Sequence, residues 1–289
     1  MRRSRRPCAP QLQTLGVLTV KLLICGSAAA EAVPGLFCTC PLCLKALKEG
    51  GKDVRSRTAY QLGEKIRVDF GPDTFHHMVR FGLRLDLLTD LVFTHSHRDH
   101  CYIEDLTNRC RGMSRVPEDA RLRVVAGTPL IESMKKQLDP ERCKLVLQAV
   151  EHGSRVMLAD GVELTAFKAD HGTPDALLYA FRTPEWACFI ANDTGWFPGE
   201  TWDLLRGFRF DAVILDCCYQ NIDHDRGHLG GDAFLRVFAE LRRMGCLKEN
   251  ARLTANHFSH NPGMSHEDLC RWLAPLGIET GFDGMELEL

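Results

Sequence analysis

A short apolar segment runs directly into a group of imidazole and carboxylate side chains, and this junction constrains the fold more than any other feature. Residues 91–93 read as a buried strand, and His95, His97, Asp99 and His100 follow it at once. In open α/β sheets, ligands bind in the crevice beyond the carboxyl ends of the strands. Imidazole and carboxylate ligands suit Zn²⁺, Mn²⁺ or Fe²⁺. The junction therefore predicts a metal site at a strand end, and the competing interpretation is a histidine-rich surface loop.

Ligand-type residues recur later in the chain. Each of four positions follows a predicted strand or a polar loop, namely His171, Asp193, His228 and His257. A single histidine after a strand is more often a hydrogen-bonded core or surface residue than a metal ligand. Four such positions, taken together with the group at 95–100, favour one shared metal centre.

The alternation of short apolar runs with amphipathic segments predicts an α/β protein. Predicted strands cover residues 17–25, 66–70, 90–94, 122–126, 156–158, 163–168, 177–182, 187–191, 212–215 and 252–255. Predicted helices cover residues 73–81, 129–138, 200–207, 231–244 and 265–274. Strands in series early and strands alternating with helices later are typical of a layered protein with its sheets inside. No linker divides the chain, so we expect one domain over residues 17–289 after a disordered extension over residues 1–16.

The order of these residues along most of the chain resembles that of the metallo-β-lactamase-fold hydrolases. The resemblance implies a four-layer αββα sandwich with the site at one edge of the two sheets. It also implies two divalent metal ions, Zn²⁺ or Mn²⁺, at the active site. The first ion would be held by His95, His97 and His171, the second by Asp99, His100 and His257, and Asp193 would bridge them.

A second group of metal-type residues lies near the start of the chain. Cys38, Cys40 and Cys43 can surround one structural Zn²⁺ if a further ligand completes the tetrahedron. The alternative is a set of buried free thiols. A disulfide framework is a poor interpretation, because 13 cysteines is an odd number and 289 residues is too long for a small disulfide scaffold.

The cysteine group and its flanking residues resemble one branch of the same superfamily, the phosphoribosyl 1,2-cyclic phosphate phosphodiesterases. In that branch the fourth zinc ligand is the second histidine of a late His-x-x-His motif. The corresponding residue here is His260, three positions after His257. Segment 281–286 also resembles this branch.

The resemblance implies that a metal-bridging hydroxide attacks a phosphodiester. Asp99 is expected to take part in catalysis as well as in metal binding. His228, between two glycines, is the candidate general acid for the leaving alkoxide, and its alternative is an ordinary loop histidine. His76 and His77 lie on a helical pattern and are predicted to form a solvated face.

The expected substrate is a small molecule, a cyclic sugar phosphate or a nucleotide. Nucleic acid is an improbable partner, because the net charge is −2 and basic residues are concentrated only in residues 1–6. The alternatives left open are a tRNA-processing-type nuclease, a lactonase or thioesterase, and a cofactor-biosynthesis relative on the same fold. A homodimer is a further expectation.

The start of the chain allows two interpretations. Basic residues precede an apolar stretch and a small-residue segment, as in a secretory signal. Lys21 interrupts that stretch, however, and free thiols follow it, so we expect a cytoplasmic protein. No run of 18 apolar residues occurs elsewhere, so no membrane association is expected.

Overall fold

The computed structural model describes residues 20–110 and 112–289. The expected disordered extension, residues 1–16, and the first residues of the predicted strand 17–25 lie outside them. The strands within the described residues are β1 Lys21–Gly26, β2 Ala59–Leu62, β3 Ile66–Val68, β4 Asp90–Val92, β5 Leu122–Gly127, β6 Leu145–Val150, β7 Arg155–Met157, β8 Glu163–Lys168, β9 Leu177–Arg182, β10 Ala187–Ala191, β11 Phe210–Asp216, β12 Leu247–Asn256, β13 Glu279–Thr280 and β14 Met285–Glu288. The α-helices are α1 Pro41–Glu49, α2 Thr74–Phe81, α3 Thr128–Gln137, α4 Gly199–Leu205, α5 Gly231–Arg243 and α6 His266–Leu273.

The strands form two seven-stranded sheets of matching design. The first sheet has the order β14-β1-β2-β3-β4-β5-β6, and the second has the order β13-β12-β11-β10-β9-β8-β7. In the first sheet, β14 to β3 pair antiparallel and β3 to β6 pair parallel. In the second, β7 to β10 pair antiparallel and β10 to β13 pair parallel. Each sheet therefore has a parallel half whose strands end along a common edge.

The faces that the two sheets turn toward each other form the central core. Side chains alternate along each strand, so Val125 of β5 points into this core while Val124 points to the outer face. Ile214 of β11 likewise faces the first sheet, and its neighbour Leu215 packs against helices. The alternation explains why these strands are apolar on both faces, since both faces are covered.

Helices cover the outer faces of both sheets. Helix α3 packs on β5 and β6 of the first sheet. Side chains of α4, α5 and α6 pack on the second sheet. The protein is thus an αββα sandwich, which confirms the predicted fold class. None of its helices in the described residues has the length and apolar composition that crossing a bilayer requires.

Several elements differ from the sequence-based expectation. Helix α1 was not predicted; Pro41 occupies its first turn, and the Cys40 thiol accepts a hydrogen bond from the Cys43 amide at its start. Strands β2, β6, β13 and β14 were also not predicted. Three of them, β2, β13 and β14, have four residues or fewer, and β6 is only partly buried, so its apolar pattern is weak.

The prediction that His76 and His77 share a solvated face was wrong. Successive helical residues are rotated by about 100°, so neighbours rarely face the same way. His76 is exposed, whereas His77 is buried and contacts Ser56 Oγ at 2.7 Å and Arg67 Nη2 at 3.1 Å. A disulfide between Cys110 and Cys143, also not predicted, connects the segment after β4 to the start of β6.

Candidate metal centre

Strand ends from both sheets deliver ligand-type side chains to one place. His95, His97, Asp99 and His100 follow β4 of the first sheet. The second sheet supplies the remaining three, His171 after β8, Asp193 after β10 and His257 after β12. Parallel strands end at the same edge of a sheet, which brings these loops together. The structure therefore places all seven residues of the predicted catalytic set in one cluster.

Asp193 lies at the centre of this cluster. Its Oδ2 atom is 3.1 Å from His100 Nε2. Its Oδ1 atom is 3.2 Å from His257 Nε2, 3.7 Å from His171 Nε2 and 4.0 Å from His95 Nε2. The two carboxylate oxygens thus face different imidazoles, which is the arrangement a bridging carboxylate needs.

The outer ligands fall into groups around Asp193. The ligand atoms of His95, His97 and His171 lie within 4.8 Å of one another. Asp99 Oδ2 lies 3.0 Å from His100 Nε2 on the other side. The division into two metal-binding sets is compatible with these groups and stays a prediction.

The donor set fits divalent cations. His100 Nε2 and Asp193 Oδ2 approach each other without forming a regular hydrogen bond, and these two atoms and His95 Nε2 are buried with no hydrogen-bond partner within the described residues. Each buried polar atom without a partner costs about 1–3 kcal/mol. Three such atoms, two from the segment after β4 and one from the turn after β10, are explained if cations accept their lone pairs.

Hydrogen bonds outside the cluster orient the imidazoles. Asp69 contacts His100 Nδ1 at 2.7 Å, and Thr58 Oγ1 contacts His257 Nδ1 at 3.0 Å. The Gly227 carbonyl accepts from His171 Nδ1 at 2.8 Å. Each contact occupies Nδ1 and leaves Nε2 directed at the centre, which fixes the ring and raises its basicity as a ligand. Asp69 was not predicted, although it directly follows β3 and so occupies the same kind of strand-end position as the predicted ligands.

Asp216 is a second buried carboxylate, and no role was predicted for it. Its Oδ2 atom accepts from His228 Nδ1 at 2.8 Å and from the Asp193 amide at 2.9 Å. Its Oδ1 atom accepts from the amides of Cys218 and Leu229. Asp216 therefore fixes both the central carboxylate and His228. Its position at the end of β11 could have indicated this.

His228 lies beside the cluster. Its ring centroid is 4.9 Å from that of His171 and 5.4 Å from that of His257. Burial lowers the pKa of His228, but the Asp216 carboxylate outweighs burial and raises the pKa to about 9. The positive charge of nearby cations would oppose this increase.

Burial and neighbouring charges also shift the pKa values of the ligands. Burial lowers the pKa of His95 well below its usual value, and the nearby His100 contributes. Burial raises the pKa of Asp193, but His100 and His257 outweigh it and keep the pKa well below the ordinary carboxyl value. Burial lowers the pKa of His100 too, but the carboxylates of Asp193 and Asp69 outweigh it and raise the pKa well above the usual value. The shifts at His95 and Asp193 favour the neutral imidazole and the ionised carboxylate that bind metal, and the charge of bound cations would oppose the shift at His100.

Three residues of the site have a left-handed backbone. The φ angles are +63° at Asp69, +57° at Asp193 and +63° at His257. Residues other than glycine seldom adopt this conformation, and it is most often retained at functional sites. The turns after β3, β10 and β12 are therefore strained where they present these side chains.

The cysteine group forms a separate cluster with His260, as the resemblance implied. His260 Nδ1 lies 3.6 Å from Cys38 Sγ and 3.5 Å from Cys40 Sγ, and Cys43 Sγ completes the group of four. The Gly35 amide donates to Cys43 Sγ at 3.2 Å. Burial raises the pKa of Cys40, but hydrogen bonds from Cys43 and His260 outweigh it and lower the pKa to about 7. Three thiols and one imidazole are a donor set that suits a closed structural zinc site.

A single turn connects the two clusters. His257 and His260 follow β12, and Phe258 between them pairs with the backbone of Ser27 and Ala29. Glu31 lies beside this turn, contacts Ser259 Oγ and is 4.0 Å from His260 Nε2. The segment leading to the cysteines and the turn that carries His257 are therefore directly hydrogen-bonded.

Known proteins share this architecture. A diphosphatase of the PhnP family has 22% sequence identity, covers 94% of this chain and 98% of its own, and has a TM-score of 0.73. Zn²⁺-bound PqqB from Methylobacterium extorquens has 14% identity, 93% and 100% coverage, and a TM-score of 0.72. The short form of human tRNase Z has 15% identity, 92% and 98% coverage, and a TM-score of 0.60. At these identities the likeness concerns the fold.

Sequence comparison identifies the family. Comparison with curated proteins gave no significant match. A family model described as the beta-lactamase superfamily domain matches residues 65–258, which include the seven clustered ligands and both flanking carboxylates. The fold of this family implies divalent metal ions, in agreement with the donor set. The chain belongs to the beta-lactamase superfamily of metallo-β-lactamase-fold hydrolases.

Proposed function

We propose that the protein is a metal-dependent phosphodiesterase that acts on a small cyclic sugar phosphate or nucleotide. The observation that carries the proposal is the position of His228, which Asp216 holds beside the seven clustered ligands. A hydrolase of phosphodiesters benefits from a proton donor within reach of the leaving oxygen, because the departing alkoxide is a strong base. His228 and Asp216 supply that donor and its support.

In this proposal His95, His97, His171, Asp99, His100, His257 and Asp193 hold two divalent cations. Cations bound there would lower the pKa of a coordinated water and neutralise charge on a phosphoryl oxygen. The buried surroundings of Asp193 keep bulk water away from the central carboxylate.

The protein itself handles the proton of the leaving group. His228 Nδ1 donates to Asp216, so Nε2 is the atom that can carry a proton toward the substrate. In the proposed reaction a hydroxide oxygen bonds to phosphorus as the bond from phosphorus to the leaving oxygen breaks, and the Nε2 proton passes to that leaving oxygen. General acid assistance of this kind typically contributes roughly 10²–10⁴ in rate. The hydrogen bond from the Asp193 amide to Asp216 Oδ2 fixes the position of His228 relative to Asp193.

Two lines of support favour a small phosphate ester over other substrates. The diphosphatase of the PhnP family shares the fold across nearly the whole chain, and its substrate class contains phosphorus. The net charge of −2 lacks the strong excess of basic residues that is typical of proteins that bind a nucleic acid backbone. The cysteine cluster with His260 would hold a structural Zn²⁺ in the same protein.

A panel assay tests this function. Protein reconstituted with Mn²⁺ or Zn²⁺ is incubated with a nitrophenyl phosphodiester, a ribose cyclic phosphate, a tRNA precursor and a lactone. We expect turnover of the first two, lost when Asp193 is changed to Asn. Cleavage of the tRNA precursor alone would replace the proposal with a nuclease, and hydrolysis of the lactone alone would replace it with a lactonase.

A further inference from the structure

Two of the strained ligand residues share an unusual neighbour. Asp193 is directly preceded by Asn192, and His257 is directly preceded by Asn256. Both asparagines are at least 98% buried, at the ends of β10 and β12. Side-chain amides seldom lie in a dry core unless they are hydrogen-bonded, so their partners are informative.

One hydroxyl group from the opposite sheet contacts both asparagines. Asn256 Nδ2 donates to the Tyr60 hydroxyl oxygen at 2.8 Å, and the Tyr60 hydroxyl donates to Asn192 Oδ1. Tyr60 lies in the middle of β2, opposite Ile24 of β1 and Val68 of β3, and is fully buried. Burial raises the pKa of Tyr60 well above its usual value, so the hydroxyl keeps the proton that it donates.

The three groups form a chain of hydrogen bonds with a fixed direction. It crosses from β12 to β10 through a residue of the other sheet and passes over β11, which carries Asp216. Consecutive hydrogen bonds in a low-dielectric interior strengthen one another. The chain therefore resists relaxation of the left-handed backbone at the two residues that follow the asparagines.

We propose that Tyr60 is a positioning residue, which fixes the distance between the loops carrying Asp193 and His257 and thereby the geometry of the metal centre. The inference rests on the proposed metal site, and Tyr60 itself contacts neither the ligand atoms nor a substrate. Removal of the hydroxyl frees both loops at once, because the same oxygen is hydrogen-bonded to Asn192 and to Asn256.

The test is Tyr60→Phe, with Mn²⁺ affinity of the metal-free protein measured by electron paramagnetic resonance. Mn²⁺ prefers oxygen and nitrogen ligands over thiolates, so it reports on the Asp193 cluster and not on the cysteines. We expect affinity to fall by about 10-fold, the lower end for residues that orient metal ligands. With the nitrophenyl phosphodiester, kcat should fall at saturating metal while KM changes little.

Tyr179→Phe is the matched control. Tyr179 is equally buried and its hydroxyl donates to the Phe93 carbonyl at 2.9 Å, so the variant loses the same atom without separating two ligand loops. Its Mn²⁺ affinity should match the wild type. Equal losses in both variants, or an unchanged affinity in Tyr60→Phe, would overturn the inference.

A second variant keeps the test decisive if Tyr60→Phe does not fold. Asn192→Ala removes one end of the hydrogen-bond chain, whose middle is Tyr60, and should also weaken Mn²⁺ binding. If both variants fold, their losses in the double variant should be less than additive, because each breaks the same chain. Additive losses would contradict a shared network. A wild-type protein that binds neither Mn²⁺ nor Zn²⁺ at the cluster would instead overturn the proposed metal centre.

Discussion

The two clusters of ligand-type residues are built in opposite ways, although they lie three residues apart along the turn after β12. The Asp193 cluster gathers side chains from four strand ends of both sheets, and hydrogen bonds with Asp69, Thr58 and Gly227 outside it orient three of its imidazoles. The cysteine cluster takes three thiols from one short segment and only His260 from far along the chain. The first cluster forms only when both sheets are assembled, whereas the second connects the cysteine segment to the turn after β12.

The donor atoms of the two clusters also differ. Imidazoles and carboxylates around a central Asp193 suit cations that also bind water and substrate. Three thiols and an imidazole close a tetrahedron and leave no position for substrate. We therefore expect changes in the first cluster to affect turnover, and changes in the second to affect stability.

The largest effect is expected from Asp193→Asn. The amide has the same shape but cannot bridge two cations, so turnover of the nitrophenyl phosphodiester should fall by roughly 10³-fold or more. Metal content should fall with it, and circular dichroism should stay unchanged. Asp211→Asn is the control. Asp211 lies at the start of β11, whereas Asp216 lies at the end of that strand beside the cluster, so this variant should keep near-normal turnover. A fully active Asp193→Asn protein would remove the distinction between the clusters.

His228→Ala should give a large effect that depends on the leaving group. A ribose hydroxyl is a poor leaving group and needs the proton, whereas nitrophenolate does not. Turnover of a ribose cyclic phosphate should therefore fall by roughly 10²-fold, and turnover of a nitrophenyl ester far less. Elemental analysis should find metal content unchanged. Equal losses on both substrates, or loss of metal, would place His228 among the metal ligands instead.

Cys40→Ser should have the opposite effect to the previous two variants, lowering stability and not turnover. A structural zinc contributes directly to the free energy of folding, so the melting temperature should fall by several degrees or more. Turnover per folded molecule should stay near normal. Cys270→Ser is the control, since Cys270 is half-buried beside His266 but belongs to neither cluster, and its melting temperature should hardly change. A stable but inactive Cys40→Ser protein would move the cysteines into the active site.

The smallest effect is expected from Glu31→Gln, at the boundary between the clusters. Glu31 is partly exposed and 4.0 Å from His260 Nε2, so its support for that ligand is weak. Loss of zinc to a chelator should become only about threefold faster, less than the 10- to 100-fold typical of closer partners. Glu267→Gln, an exposed acid on α6, should have no effect. A change in turnover instead would show that Glu31 acts on the catalytic side.

The sequence was sufficient for the parts of the site that follow a repeated rule. Metal-type residues directly after apolar strands identified His95 to His100, Asp193 and His257, and the family resemblance grouped them. Asp69 and Asp216 obey the same rule, but a lone Asp after a strand is too common to single out. Tyr60 could not be found in this way, because its role depends on two asparagines that approach it only across the sheets.

The missed secondary structure has equally local reasons. Strands β13 and β14 are short and derive their order from pairing with distant strands, which no window of sequence contains. Helix α1 begins inside the cysteine group, where the thiols were interpreted only as ligands. Cys40 combines both functions, because its sulfur accepts the amide of the first helical turn and also faces His260.

The pairing of β1 with β14 has a consequence for how the protein is made. Lys21 of β1 forms an ion pair with Glu286 of β14, 265 positions later in the chain. A ribosome adds about 5–20 residues per second, so β1 exists for many seconds before this partner has been synthesised. During that time one edge of β1 is unpaired and open to other strands. The free edge of β1 is therefore a site for incorrect strand pairing in the nascent chain until β14 has been synthesised.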